Sequence, residues 1–260
     1  MKKTFVLFLF PIWLYSQEID SIKIAKIFHN QKGTLVLYGQ QKEKYFVYNK
    51  ERAEERFLPA STFKIMNSLI ALQLKIIPDE NYIFKWDGIK YENKNWNKDH
   101  NLNSALKYSV VPIFRNIAKE IGKKNYEKYL DAVSYGNCVV GEDTTGFWLD
   151  NSLKISAMEQ VIFIKRFYKY QLPFNKEVID LLKKLLPTQK IKDKLIHYKT
   201  GTGRNENNKW ILWNVGYCET EKNVYYFAFN IEEDNFDNGI KKREIITKKL
   251  FESLIISDSK

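Results

Sequence analysis

The chain predicts an α+β fold: an antiparallel sheet, flanked by the two terminal helices, that receives a large all-helical insert. Three observations lead there. Segments rich in β-branched and aromatic residues cluster towards the two ends, at 33–38, 44–48, 197–200, 209–219 and 223–231. Between about 62 and 186 apolar residues recur mostly at helical spacing. A chain of 260 residues with 44% hydrophobic content can also bury a large core. Strands from both ends must then share one sheet, with the insert packed as a second lobe.

Each element follows in order. Met1-Lys2-Lys3 and the apolar run 4–14 have the charged start and short greasy stretch of a signal peptide, about eleven residues and too short to span a membrane. Residues 1–16 are therefore expected to be removed near Ser16/Gln17, and no cysteine stands there to carry a lipid. The mature chain, 17–260, is expected to be one periplasmic or secreted domain, with a mixed lobe at about 17–60 and 196–260 and a helical lobe at about 61–195. A helix is expected over 18–30, then a hairpin from 33–38 and 44–48. Helices follow at 111–121, 126–132, 156–170 and 176–186, then three strands, and a last helix at 239–254. The functional cleft is expected between the lobes.

Charge excludes little and favours one thing. The net charge of +11 comes mostly from scattered lysine, with only six arginines among 42 basic residues. Interleaved Glu, and no Arg-rich or Gly-aromatic segment, argue for a solvated basic surface rather than a nucleic-acid site. Anionic small molecules are attracted at long range. His29, His100 and His197 are dispersed, and no Cys or His pair has zinc-ligand spacing. Cys138 and Cys218 leave a disulfide open in an oxidising compartment without requiring one, and their apolar contexts favour two buried thiols.

The chemistry begins at Ser61-Thr62-Phe63-Lys64. A hydroxyl and an amine three residues apart share a helix face, and Pro59 and the apolar run from Phe63 to Leu74 place Ser61 in the first turn of a helix. There its own N–H is unpaired and the dipole favours developing negative charge. The pattern is common by itself, since lysine is abundant and Ser104/Lys107 and Ser257/Lys260 repeat it. What distinguishes Ser61 is the order of further clusters: Ser109-Val110-Val111, Tyr135-Gly136-Asn137, Phe147-Trp148-Leu149 and Lys199-Thr200-Gly201.

That set resembles the class D serine β-lactamases, the oxacillinases, within the penicillin-recognising serine enzymes. The likeness runs from about residue 20 to 256 and implies the β-lactamase/transpeptidase-like fold. It implies Ser61 as nucleophile and Lys64, carrying carbon dioxide as a carbamate, as general base, with no other cofactor. Trp148 would donate to the carbamate; Phe63, Val111, Phe114 and Leu149 would keep it dry. Ser61 and Thr202 would supply the oxyanion N–H groups, the latter beside Gly201 on an edge strand. Ser109 and Lys199 would protonate the leaving nitrogen, and Thr200 and Arg243 would hold the substrate carboxylate. The implied partners are small β-lactams, with no nucleic acid and no lasting membrane insertion; a transpeptidase or an acylated sensor domain shares much of the pattern. Gly146 departs from the family, which often has Gln or Lys before Phe-Trp-Leu.

Overall fold

The computed structural model describes residues 21–192 and 194–253; the expected leader, 1–16, and the end of the last expected helix at 254 lie outside them. A helix α1 (Ser21–Phe28) precedes the hairpin β1 (Gly33–Gly39) and β2 (Lys44–Tyr48). After a short helix α2 (Lys50–Glu54) and a 3₁₀ turn (Ala60–Phe63), α3 (Lys64–Gln73) begins the helical segment, which continues through α4 (Leu102–Lys107), α5 (Val111–Ile121), α6 (Lys123–Val133), α7 (Ala157–Tyr168) and α8 (Lys176–Leu185). Strands β3 (Thr188–Ile191), β4 (Lys194–Arg204), β5 (Trp210–Glu219) and β6 (Val224–Glu233) lead to α9 (Phe236–Ser253).

The six strands form one antiparallel sheet in the order β2-β1-β6-β5-β4-β3. Side chains alternate across a strand, and both faces of this sheet are covered. Leu35, Leu37, Leu212, Phe227 and Phe229 face α1 and α9 and share a core with Phe28, Ile246 and Leu250. Val36, Trp213, Val215, Tyr226 and Ala228 face the helical segment. The predicted layering of terminal helices, sheet and helical insert is therefore the observed one.

Several local expectations are corrected. Residues 77–100 carry only a 3₁₀ turn (Lys94–Trp96), because Asp and Asn side chains there compete with helix for the backbone N–H groups. Asp79 takes the N–H of Asn81, Asp87 that of Ile89, and Asn97 that of Tyr91. Ser61 sits in the 3₁₀ turn that leads into α3 rather than in α3 itself, after Ala60 turns the chain at φ 48°. The strand expected at 197–200 is longer and is not outermost: the short, polar β3 pairs with it, but only as far as Thr188 opposite His197. Beyond that point β4 is an open edge, as the edge-strand expectation requires. Cys138 and Cys218 are not joined in a disulfide, and only the second is fully buried.

Phe229 has no exposed surface and meets Phe28 edge-on, ring centroids 6.2 Å apart, so it ties α1 to the sheet. Phe229→Ala is expected to cost about 3–5 kcal/mol, measured by equilibrium denaturant unfolding.

Candidate active site

The serine turn is held from three sides. The Trp148 carbonyl accepts the Ala60 N–H at 3.1 Å, and the Trp213 indole donates to the Leu58 carbonyl at 2.9 Å. Across the turn, β4 comes so close that a Cβ on Gly201 would meet the Pro59 oxygen at 2.7 Å, and one on Gly203 would meet Leu58 Cδ1 at 2.6 Å. Those two glycines let the strand edge lie against the serine turn. A third hold went unread in the sequence: Gln160 Nε2 donates to Thr62 Oγ1 at 2.9 Å, and Thr62 Oγ1 donates to the Pro59 carbonyl at 2.8 Å. The only available signal was a lone amide among the apolar positions Ala157, Val161 and Ile164 of α7.

Within this frame Lys64 Nζ donates to Ser61 Oγ at 2.9 Å. Lys64 has no exposed surface, and its Nζ lies 5.0 Å from the Phe114 ring centroid. Burial alone lowers its amine to about 7, because desolvation penalises the cation. Near neutrality the amine is therefore available uncharged, and the contact can reverse so that the hydroxyl gives its proton to nitrogen.

Trp148 completes the slot. It is fully buried, stacks on Phe63 at 5.7 Å, and its Nε1–H is a buried donor with no partner among the described residues. Such donors are rare and call for an acceptor. The Phe63 and Phe147 rings pack against the indole, and the Tyr-Gly-Asn cluster turns out to be a clamp on the loop that follows it. Asn137 exchanges backbone and side-chain hydrogen bonds with Ser152 and Lys154, and Gly136, at φ 59°, passes where a Cβ would strike the Lys154 oxygen. Tyr135 packs edge-on against Phe63 at 5.5 Å, and burial pushes its phenol well up, so it stays protonated. Gly146 leaves room for Asp143, which caps the turn through Thr145; a Cβ would meet Asp143 Oδ2 at 2.7 Å. Leu149 and Val111 are half-buried.

A second dyad stands beside the first. Ser109 lies between α4 and α5 at φ 52°, and Lys199 Nζ donates to its Oγ at 2.5 Å and to the Thr200 carbonyl at 2.9 Å. Burial, and then the neighbouring Lys64 and Arg243, hold the Lys199 amine well below its ordinary value. Arg243 of α9 donates through Nη1 to the Gly201 carbonyl at 3.2 Å and to Thr202 Oγ1 at 2.9 Å, and burial lowers it to about 10. The Thr202 hydroxyl is thus committed to Arg243, which the sequence did not indicate. The Tyr198 N–H leaves β4 outward to the Pro187 carbonyl at 3.0 Å. Alternate residues of a strand direct their N–H groups the same way, so Thr200 and Thr202 present theirs to the open edge.

Among the described residues no carboxylate pairs with Lys64, Lys199 or Arg243, and no group of His, Cys, Asp and Glu could hold a metal. His197 instead stacks on Tyr217 at 4.7 Å. The decoy pair Ser104/Lys107 is separated chemically: Ser104 Oγ lies 2.9 Å from His100 Nδ1. The arrangement offers a hydroxyl beside a neutral amine, a second hydroxyl beside a buried amine, and uncompensated positive charge where an anionic ligand fits.

Residues 25–252 match the family model of the penicillin binding protein transpeptidase domain. The chain is 40% identical over 222 residues to the β-lactamase OXA-48 of Klebsiella pneumoniae, spanning 85% of this chain and 83% of that one. The chain belongs to the class D β-lactamases. Among solved structures of that class, it resembles one from Sebaldella termitidis with a TM-score of 0.84 at 36% identity, covering 89% of this chain and 95% of that one. It likewise resembles FUS-1 (OXA-85) from Fusobacterium nucleatum subsp. polymorphum, with a TM-score of 0.83 at 36% identity, covering 89% and 98%. The class accounts for the order of the five clusters and for the paired serine–lysine geometry; the Gln160 brace was found in this structure.

Gln160→Leu is expected to leave Thr62 with an unmet buried acceptor and to cost about 1–3 kcal/mol. A double-mutant cycle with Thr62→Val, read by denaturant unfolding, is expected to return a coupling of about 0.5–3 kcal/mol between the two.

Proposed function

We propose that this class D β-lactamase opens the β-lactam amide of penicillins and related antibiotics through an acyl-Ser61 ester. The observation that carries the reading is the fully buried Lys64 amine, lowered to about 7, at 2.9 Å from Ser61 Oγ. Ser61 Oγ passes its proton to the Lys64 side chain and attacks the ring carbonyl carbon. Negative charge develops on the carbonyl oxygen, where the Ser61 and Thr202 N–H groups stabilise it; one such donor is typically worth about 10²–10³ in rate. The ring C–N bond then breaks, and the nitrogen takes a proton from Ser109; Lys199 resupplies Ser109, and the proton first taken by Lys64 replaces the one Lys199 gave, which leaves Lys64 free to act on water. Thr200 and Arg243 hold the substrate carboxylate in the cleft. Water, activated at the Lys64 side chain, cleaves the ester and restores the serine.

Carbon dioxide fits this slot. A neutral amine, the orphan Trp148 donor and the apolar rings of Phe63 and Phe114 are what a lysine carbamate requires, and the resemblance adds Val111 and Leu149 to that wall. Carboxylation of Lys64 would supply an anionic base beside Ser61. We further propose that residues 1–16 are a secretion leader, that 17–260 form one domain with the cleft between its lobes, and that the mature protein is periplasmic or secreted. No helix among the described residues is long and apolar enough to cross a membrane.

Excess chromogenic cephalosporin is expected to be turned over many times. A single stoichiometric burst would instead mark a transpeptidase or sensor that acylates and stops. Lys64→Ala is expected to lose deacylation by about 10²–10⁴-fold and to leave a trapped acyl-enzyme visible by intact mass; full turnover by that variant would sink the scheme. Trp148→Phe keeps the ring and removes the donor, and its deacylation is expected to slow and to recover in part with added bicarbonate. Because the amine is uncharged above about 7 and protonated below, activity in bicarbonate-free buffer is expected to fall as pH drops through about 7, measured as the pH profile of kcat.

A further inference from the structure

We infer that the cleft contains a second anion subsite, centred on Lys107, that favours β-lactams with an acidic group on the ring substituent next to the ring carboxylate. This rests on the proposed function above, since it places the ring carboxylate at Thr200 and Arg243. The pocket that includes those two residues has a volume of about 450 Å³, more than a carboxylate fills. It exists because β3 stops early. Upstream of Thr188 the chain leaves the strand edge for α8, and the space beside Thr200 is closed instead by the C-terminal ends of α4 and α8.

The lining is unbalanced in charge. Lys107, Lys184, Lys199 and Arg243 face a single acid, Glu244. Three of those cations are already committed. Lys199 is bonded to Ser109 and the Thr200 carbonyl, Arg243 to Gly201 and Thr202, and Lys184 to Glu80 at 2.8 Å. Lys107 is exposed, lies 5.5 Å from the Tyr108 ring centroid, and has no carboxylate partner among the described residues. It stands in the last turn of α4, two residues before Ser109, so it borders the cleft from the same segment that carries the second serine. The Ser104-x-x-Lys107 repeat is thus chemically idle as a nucleophile pair, because Ser104 is engaged by His100, while its lysine is left available to the cleft.

A ligand anchored by one carboxylate at Thr200 and Arg243 occupies the pocket that Lys107 also lines, so the substituent beside that carboxylate is the part placed to reach it. A neutral substituent gains nothing there. A carboxylate or sulfonate gains a half-exposed ion pair, which is screened by salt.

The test uses two cephalosporins identical except at the ring substituent beside the carboxylate, one neutral and one bearing a carboxylate. The ratio of kcat/KM for the acidic over the neutral compound is measured for the intact protein, Lys107→Ala, Lys107→Glu and, as a charge-matched control on the far helix α6, Lys128→Ala. The wild-type ratio is expected to exceed that of Lys107→Ala by about two- to fivefold, to invert in Lys107→Glu, to persist in Lys128→Ala, and to shrink at high salt. Equal ratios in wild type and both Lys107 variants, with both compounds hydrolysed, overturn the subsite and leave the proposed function standing. If wild type hydrolyses neither compound, the functional reading falls and the subsite falls with it.

Discussion

The site depends on keeping one lysine out of water. Lys64 opens α3, and the nine residues from Lys64 to Leu72 are all buried, so the helix runs through the centre of the larger core. An amine there cannot keep its charge cheaply without a carboxylate partner, and none is provided. The consequence is an amine that is partly uncharged near neutral pH, 2.9 Å from the serine oxygen. Phe63, Phe114 and Trp148 enclose the slot, and the helical segment around α3 exists in this arrangement to keep it dry.

The second requirement is that a sheet edge meet the serine turn. Two glycines on β4 and the termination of β3 at Pro187 achieve this together: the first allow contact with Pro59 and Leu58, and the second leaves the outward N–H groups of Thr200 and Thr202 uncovered. Exposed edges usually invite pairing with another chain. Here the open stretch is short and abuts the cleft, where a substrate can use it. The same shortfall of β3 creates the pocket that reaches Lys107.

Basic side chains with no carboxylate partner among the described residues recur through the site, in Lys64, Lys199 and Arg243. Each is costly in a closed interior. Beside the cleft, burial and then Lys64 and Arg243 lower the affinity of Lys199 for its proton, and an anionic ligand would relieve that cost. Trp148 is the complementary case: its backbone carbonyl is held by the Ala60 N–H, while its buried Nε1–H has no partner among the described residues and could take one from within the slot.

Period-two alternation and helical spacing determined the layers without help, because they report which face of each element is buried. The ordered clusters likewise pointed to the family, and they marked Ser61, Lys64, Ser109, Trp148 and Lys199, residues that the structure brings near one another. Tertiary structure alone decided the rest. The polar strand β3 pairs through its backbone and has no apolar signature to read. The Gln160–Thr62 bond joins residues 98 positions apart, which no local period encodes. Whether Lys64 is neutral, and whether Lys107 borders the same cleft as Arg243, depends on what surrounds each group in three dimensions, since desolvation and convergence belong to packing and not to spacing along the chain.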